Sequence, residues 1–482
     1  MYRDINLFIA NEWRGASDGA TRQVTDPATE AALGTIPVAT VEDLDAALAA
    51  AERGFAVWRR TNPWERGAKL RRVAEIIREG ADNIARLMTL ETGKPLAESR
   101  GEVGAAADQF EWYAEETKRI YGQTIESRAT DSRMQVILQP VGVVAAFSAW
   151  NFPALLPARK IAAALGAGCA VIVKPAGETP ASCAALVAAC EAAGLPEGAV
   201  NMVTGNSSLI ARHLIGSPIV RKVSLTGSVP VGKEILHLAA DGVKKVSMEL
   251  GGHGPVIVFD DVDPVQAAET CATTKFRNCG QVCISPTRFY VHESRYDAFA
   301  VRFAEVAKGL KLGNGLEEGV QVGPMANRRG IDVIERMVAD AVEKGAEVLA
   351  GGARPRDLNA GYFFEPTVLG HVPDEALVMT EEPFGPIAPI TTFRDYDEVI
   401  ARANALPFGL AGYVFSNDLG RATRAWEDLE VGMVGVNEML LATAEAPFGG
   451  IKESGMGREG GSFGIGDYLE PKYVKMKLAP TV

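Results

Sequence analysis

Cysteine and histidine are scarce in this chain, with six of one and five of the other in 482 residues. The cysteines (169, 183, 190, 271, 279 and 283) do not fall at zinc-ligand spacings. Most stand among Ala and Val, as core residues do, so no disulfide framework is expected. The histidines are scattered singly, which leaves metal catalysis without a ligand set, and no metal is expected. No run of Lys or Arg could track a phosphate backbone. With 49 basic against 61 acidic residues the net charge is −12, so nucleic acid is not an expected partner. No apolar segment reaches membrane-spanning length, and MYRDINLFIANEW lacks a charged n-region followed by an apolar h-region. The expectation is a cytoplasmic protein without membrane contact. Also missing is a G-x-G-x-x-G after any strand, so the common dinucleotide fingerprint is absent.

What is present is a globular balance, 47% hydrophobic and 23% charged, over a length that suggests roughly three domains of about 150 residues. Ala-rich helical patterns fill the first quarter. Thr40 is placed to cap DLDAALAAAERGFAVWRR, and ERGAKLRRVAEIIREGADNIARLMTLE continues with helical spacing. From MQVILQPVGVVAAF onward, short apolar strands alternate with helices: VGVVAAF, CAVIVK, AVNMVTG, RKVSLTG and KKVSMEL. This pattern predicts an α/β fold with a doubly wound parallel sheet covered on both faces. Ligands of such sheets sit at the carboxyl ends of strands, where Asn151, Lys174, Gly205, Gly227 and Glu249 all fall. A second α/β block begins near PVIVFDD at 255. The closing YLEPKYVKMKL alternates like an edge strand that pairs with another subunit.

Two segments carry chemistry. LTGSVPVG (225–232) lies between a strand and a helix, and there Gly227 and Ser228 offer donors to a pyrophosphate. The same residues also read as a plain turn with a Ser cap. KFRNCGQVCISPTRF (275–289) sets Cys279 and Cys283 in a polar, Gly-containing loop between Arg277 and Arg288. Such a loop suits a reactive thiol better than the Ala-rich helices around Cys183 and Cys190.

Seven motifs in order resemble the NAD(P)-dependent aldehyde dehydrogenase superfamily: SAWNFP (148–153), VKPAGETP (173–180), LTGSVPVG, MELGGH (248–253), FRNCGQVC (276–283), EEPFGP (381–386) and APFGGIKESGMGREG (446–460). The resemblance implies a Rossmann-like cofactor domain (1–123 and 147–252), a second α/β catalytic domain (253–450) and a small β oligomerisation arm (124–146 and 467–482), assembled as a homodimer or homotetramer. It makes Cys283 the nucleophile, with Asn151 and the Cys283 N–H as oxyanion donors and Glu249 as the general base for thioester hydrolysis. A CoA-acylating relative is disfavoured by Glu249. Lys174 is counted with the catalytic set and also as the lysine that reaches the adenine ribose. The implied cofactor residues are Ser148, Ala149, Trp150, Lys174, Ala176, Gly177, Gly205, Gly227, Ser228, Leu250, Gly251, Glu382 and Phe384.

At Gly177, members that prefer NAD usually carry a Glu. Its loss predicts that NADP is accepted alongside NAD or preferred to it, unless Glu178 swings back. The C-terminal segment and FRN look most like succinate-semialdehyde and α-ketoglutaric semialdehyde dehydrogenases. The resemblance then implies that Arg159 and Arg277 grip the distal carboxylate of an acidic semialdehyde, with Thr443 supplying a hydroxyl. The alternative is a dehydrogenase of aromatic or other uncharged aldehydes, in which the arginines brace structure; a catalytically silent binding protein is a further reading. Cys279 is read as a dispensable neighbour or as a redox partner of Cys283. Arg288 has no assigned role.

Overall fold

The computed structural model describes residues 2–478, so the last residues of the expected arm, 479–482, lie outside the described residues. An eight-stranded sheet runs in the order Gly455–Met456, Lys245–Glu249, Val220–Thr226, Val143–Phe147, Ala170–Lys174, Val200–Met202, Leu7–Ile9 and Glu12–Arg14. Its five central strands are parallel. They alternate between two cores: Val144, Ala146, Val171 and Val173 face one, and Val143, Ala145, Ile172 and Phe147 face the other. Burial on both faces is the reason these strands read as continuous apolar runs.

Past Glu249 the chain crosses to a second, seven-stranded sheet. Its order is Glu347–Ala350, Thr367–Gly370, Ile387–Phe393, Pro286–His292, Gly254–Val258, Ala411–Phe415 and Met433–Val436. Only the pairing of its first two strands is antiparallel. The crossing is tight: a Cβ on Gly252 would lie 2.9 Å from the Cys283 carbonyl oxygen and 2.9 Å from Leu410 Cβ. The end of one sheet is therefore pressed against the Cys283 segment of the other.

A three-stranded antiparallel sheet joins Gln123–Ile125, Ser132–Pro140 and Leu469–Lys477. The expected arm boundary at 146 falls inside Val143–Phe147. That strand pairs on both sides within the eight-stranded sheet, so the arm strand stops at Pro140. The expectation of helices throughout the first quarter is also corrected. Residues up to Pro37 form four strands, two of them the hairpin Thr21–Thr25 with Ala32–Pro37. The predicted helical run after residue 63 is two helices, Pro63–Glu79 and Ala81–Thr92, divided at Gly80. Thr40 does cap Val41–Trp58, in a reciprocal box with Asp43 that contributes about 1 kcal/mol.

Candidate active site

The helix Pro264–Phe276 delivers the chain into a left-handed turn, with Asn278, Cys279 and Gly280 at φ 49°, 54° and 71°. Left-handed backbone costs a Cβ-bearing residue roughly 1–2 kcal/mol, so surrounding bonds must hold it. Glu98 accepts from the Asn278 N–H at 2.8 Å. The Asn278 side-chain amide donates to the carbonyls of Asn151 (3.0 Å) and Gln281 (3.1 Å). Asn151 Nδ2 itself donates to the Gln281 carbonyl at 3.1 Å, which leaves its second amide hydrogen free to meet an oxyanion. Behind Asn151 lies a pair that the sequence reading missed. Buried Lys94 donates to the Asn151 carbonyl (2.7 Å) and to Glu102 (2.5 Å), and Glu102 accepts from the N–H groups of Ala154 and Leu155. Two oppositely charged residues within a few turns of each other are the only sequence signal for this brace.

Glu249, the last residue of its strand, stands against the Cys283 thiol without a well-formed hydrogen bond to it or to any other described group. Burial, with help from Glu459, pushes Glu249 up to about 7. Burial and the adjacent Glu249 push the Cys283 thiol well above its ordinary range, while Arg159 works in the opposite direction. The resting thiol is thus protonated beside a carboxylate able to take the proton. A second buried group, also missed, lies behind Glu249: Lys160 pairs with Glu459 and donates to Thr226 Oγ1 at 2.8 Å. Lys160 sits in Leu155–Ala167, a helix buried almost throughout, where adjacent Arg159 and Lys160 demand partners.

Along the first sheet's carboxyl edge lie the residues assigned to a cofactor. Ser148 N–H donates to the Lys174 carbonyl at 3.2 Å, and Trp150 meets Phe384 edge to face at 5.5 Å. Glu382 accepts from the Gly252 N–H at 3.1 Å, and any Cβ on Gly251 would come within 2.5 Å of its other oxygen. Gly205 (φ 129°) allows close approach to the 38–39 backbone, and Leu250 packs where a Gly232 side chain would stand. Ser228 occupies the N-cap position of Val229–Ala240 but its hydroxyl makes no cap bond, so the turn keeps donors to spare. Buried Ala176 and adjacent Gly177 complete the edge beside Lys174. A carboxylate for ribose hydroxyls, uncapped helix N-terminal donors and a cation near the strand end fit a nicotinamide dinucleotide. Lys174 is buried at the end of its strand, with Glu178 and Arg22 as the charges that act on it.

Arg159, only 2% exposed, lies over the Phe448 ring at 3.9 Å with Glu459 also 3.9 Å away, and its Nε has no partner. It lines a cavity of about 450 Å³ together with Gln109, Trp112, Leu155, Ala442 and Thr443. Arg277 stands instead on a neighbouring cavity of about 200 Å³ with Tyr413, Met439 and Leu440, its guanidinium 5.7 Å from the Phe152 ring. Arg288 acquires a role that the sequence did not suggest. It is buried and donates to the carbonyls of His253, Arg402 and Ala403, tying its strand to the helix Tyr396–Asn404. Cys279 is 1% exposed in the apolar core, and burial pushes its thiol up, which suits packing better than redox chemistry. Both cysteines are free.

Known proteins match the chain along nearly its whole length. The model of the aldehyde dehydrogenase family matches residues 13–474. The glutarate-semialdehyde dehydrogenase of Pseudomonas putida is 48% identical over 97% of this chain and 96% of its own length. The NADP(+) succinate-semialdehyde dehydrogenase GabD of Escherichia coli (strain K12) is 46% identical over 98% of this chain and 99% of its own. The crystal structure of succinate-semialdehyde dehydrogenase from Burkholderia pseudomallei superposes with a TM-score of 0.97 at 44% identity, covering 98% of each chain. With a left-handed turn presenting Cys283 to Glu249 and Asn151, and a full-length match around it, this chain belongs to the aldehyde dehydrogenase family.

Proposed function

We propose that the chain oxidises an aldehyde bearing a distal carboxylate, of the succinic, glutaric or α-ketoglutaric semialdehyde type, to the dicarboxylic acid, with NADP accepted or preferred over NAD. The observation that carries this reading is Arg159: a buried cation with an unpartnered Nε on the wall of the cavity that also contains Thr443. A guanidinium in that position rewards a carboxylate and leaves an uncharged aldehyde with nothing to offset its desolvation. The full-length likeness to semialdehyde dehydrogenases supports the same substrate class.

The Cys283 thiol gives its proton to Glu249 and its sulfur attacks the aldehyde carbon. The carbonyl electron pair moves to oxygen, where the Asn151 amide and the Cys283 N–H hold it. The bound cofactor supplies a hydride acceptor as the carbonyl re-forms. Glu249 passes the thiol's proton to solvent and then removes a proton from water. The resulting hydroxide attacks the thioester, and the carbon–sulfur bond breaks to release the acid and the Cys283 thiolate, which takes that proton from Glu249. We further propose that copies of the chain assemble through the three-stranded sheet into a dimer or tetramer. Six free cysteines fit a reducing compartment, the cytoplasm.

The reading is tested by steady-state kinetics on the three semialdehydes beside benzaldehyde, each with NADP and NAD. Arg159→Met should raise KM for the acidic substrates about 10- to 100-fold and leave benzaldehyde within about 3-fold. Parallel losses on both classes would instead favour the uncharged-aldehyde reading, in which Arg159 only braces Glu459.

A further inference from the structure

The hairpin Thr21–Thr25 with Ala32–Pro37 is fixed in place by Val24 and Ile36, which pack with Ala181 in a small apolar core. Residues two apart in a strand share a face, so Arg22 projects from the same face as Val24 and overhangs the loop before the helix Pro180–Ala192. There it meets Gly177. A Cβ built on Gly177 would fall inside the Arg22 guanidinium, with Cζ 2.7 Å and Nη1 3.3 Å away. The position where a glutamate would receive a ribose 2′-hydroxyl therefore holds a cation delivered by a distant strand. We propose that Arg22 is a specificity-determining residue that grips the 2′-phosphate of the dinucleotide jointly with Lys174.

Two further observations agree. Lys174, 7% exposed, is pushed down to about 8 by burial and by Arg22, with Glu178 opposing. A dianion between the two cations relieves both effects. Glu178, the acid that could have competed for Arg22, instead has its Oε1 3.9 Å from Arg329 Nη2. A planar guanidinium also matches two phosphate oxygens at once, which a lysine alone cannot do.

The inference rests on the reading of the Lys174 end as the adenosine end of the cofactor site. The test is isothermal titration calorimetry of the whole enzyme with two fragments, adenosine 2′,5′-bisphosphate and adenosine 5′-monophosphate, and with NADP and NAD, alongside thermal melts. Wild type should favour both 2′-phosphorylated ligands. Arg22→Ala should weaken those two about 10- to 100-fold and the others less than about 3-fold, with Arg22→Lys restoring part of the loss. Equal weakening of all four ligands would make Arg22 a structural residue and overturn the inference. A wild-type preference that survives Arg22→Ala would overturn it too, while leaving the cofactor reading intact. Wild type with no 2′-phosphate preference would overturn the inference, and failure to bind NADP and both fragments would sink the cofactor reading.

Discussion

Glu249 must be neutral to sit comfortably in its pocket and ionised to act as a base. Burial brings it to about 7, where both forms are populated near neutral pH. Thioester hydrolysis should therefore rise with pH through about 7 and then level off. Glu249→Gln should cut turnover by about 10²- to 10⁴-fold by removing the base for both the thiol and the attacking water, seen as loss of any rapid burst of reduced cofactor together with the steady-state rate. Stability moves the other way. A carboxyl whose folded value lies above its ordinary 4.5 contributes stability below 4.5, and that contribution is lost as pH rises through about 7. Glu249→Gln should consequently melt higher than wild type at pH 8 and at nearly the same temperature at pH 4. An unchanged difference between the two pH values would mean that the pocket does not perturb Glu249. At this scale the sequence was most informative for Cys283, Asn151 and Glu249, because each sits in its own local motif. Arg288 was unreadable, since its acceptors at His253, Arg402 and Ala403 come from segments far away in the chain.

The turn at 278–280 shows what a single element contributes. Gly280 is left-handed and packs on the backbone of Gly385 and Pro386, with Pro386 N 3.1 Å from any added Cβ. Gly280→Ala has to move that backbone or unwind the turn, and either shifts Cys283 relative to Glu249. We expect kcat to fall at least about 10-fold, because small misplacements of reacting groups are costly, with a lowered melting temperature from the added strain. Full activity with an unchanged melt would show that the turn tolerates a side chain. Sequence pattern found the long helices and the buried parallel strands, which carry enough residues to display a period. It missed Leu7–Ile9 and Glu12–Arg14, since three residues carry no period and their pairing is set by neighbours in the sheet. The same blindness hid the hairpin that carries Arg22.

Across the whole molecule, two parallel sheets meet at the crossing after Glu249 and the third sheet stands apart with exposed apolar side chains. Ile137 and Met476 share one face of it, being in the register that sets Lys472 against Ile137, and are 39% and 43% exposed. Apolar residues on an edge sheet are a natural seat for a second copy. The double variant Ile137→Asp, Met476→Asp should sediment as a smaller species than wild type while binding cofactor normally, since the eight-stranded sheet is untouched. An unaltered sedimentation profile would place assembly elsewhere. Among the described residues no helix is long and apolar enough to cross a membrane, and no cluster of His, Cys, Asp and Glu could hold a metal. Strand-helix alternation and seven ordered motifs were enough for the sequence alone to determine the fold class and the family, and to nominate Cys283 and Glu249 as nucleophile and base, because each depends on neighbours in the chain. Only the tertiary structure decided which charges confront one another: Lys160 with Glu459, Arg22 over Gly177, and Arg159 over Phe448 beside Glu459. Electrostatic partners are chosen by distance in space, and that distance is set by packing between segments the sequence keeps far apart.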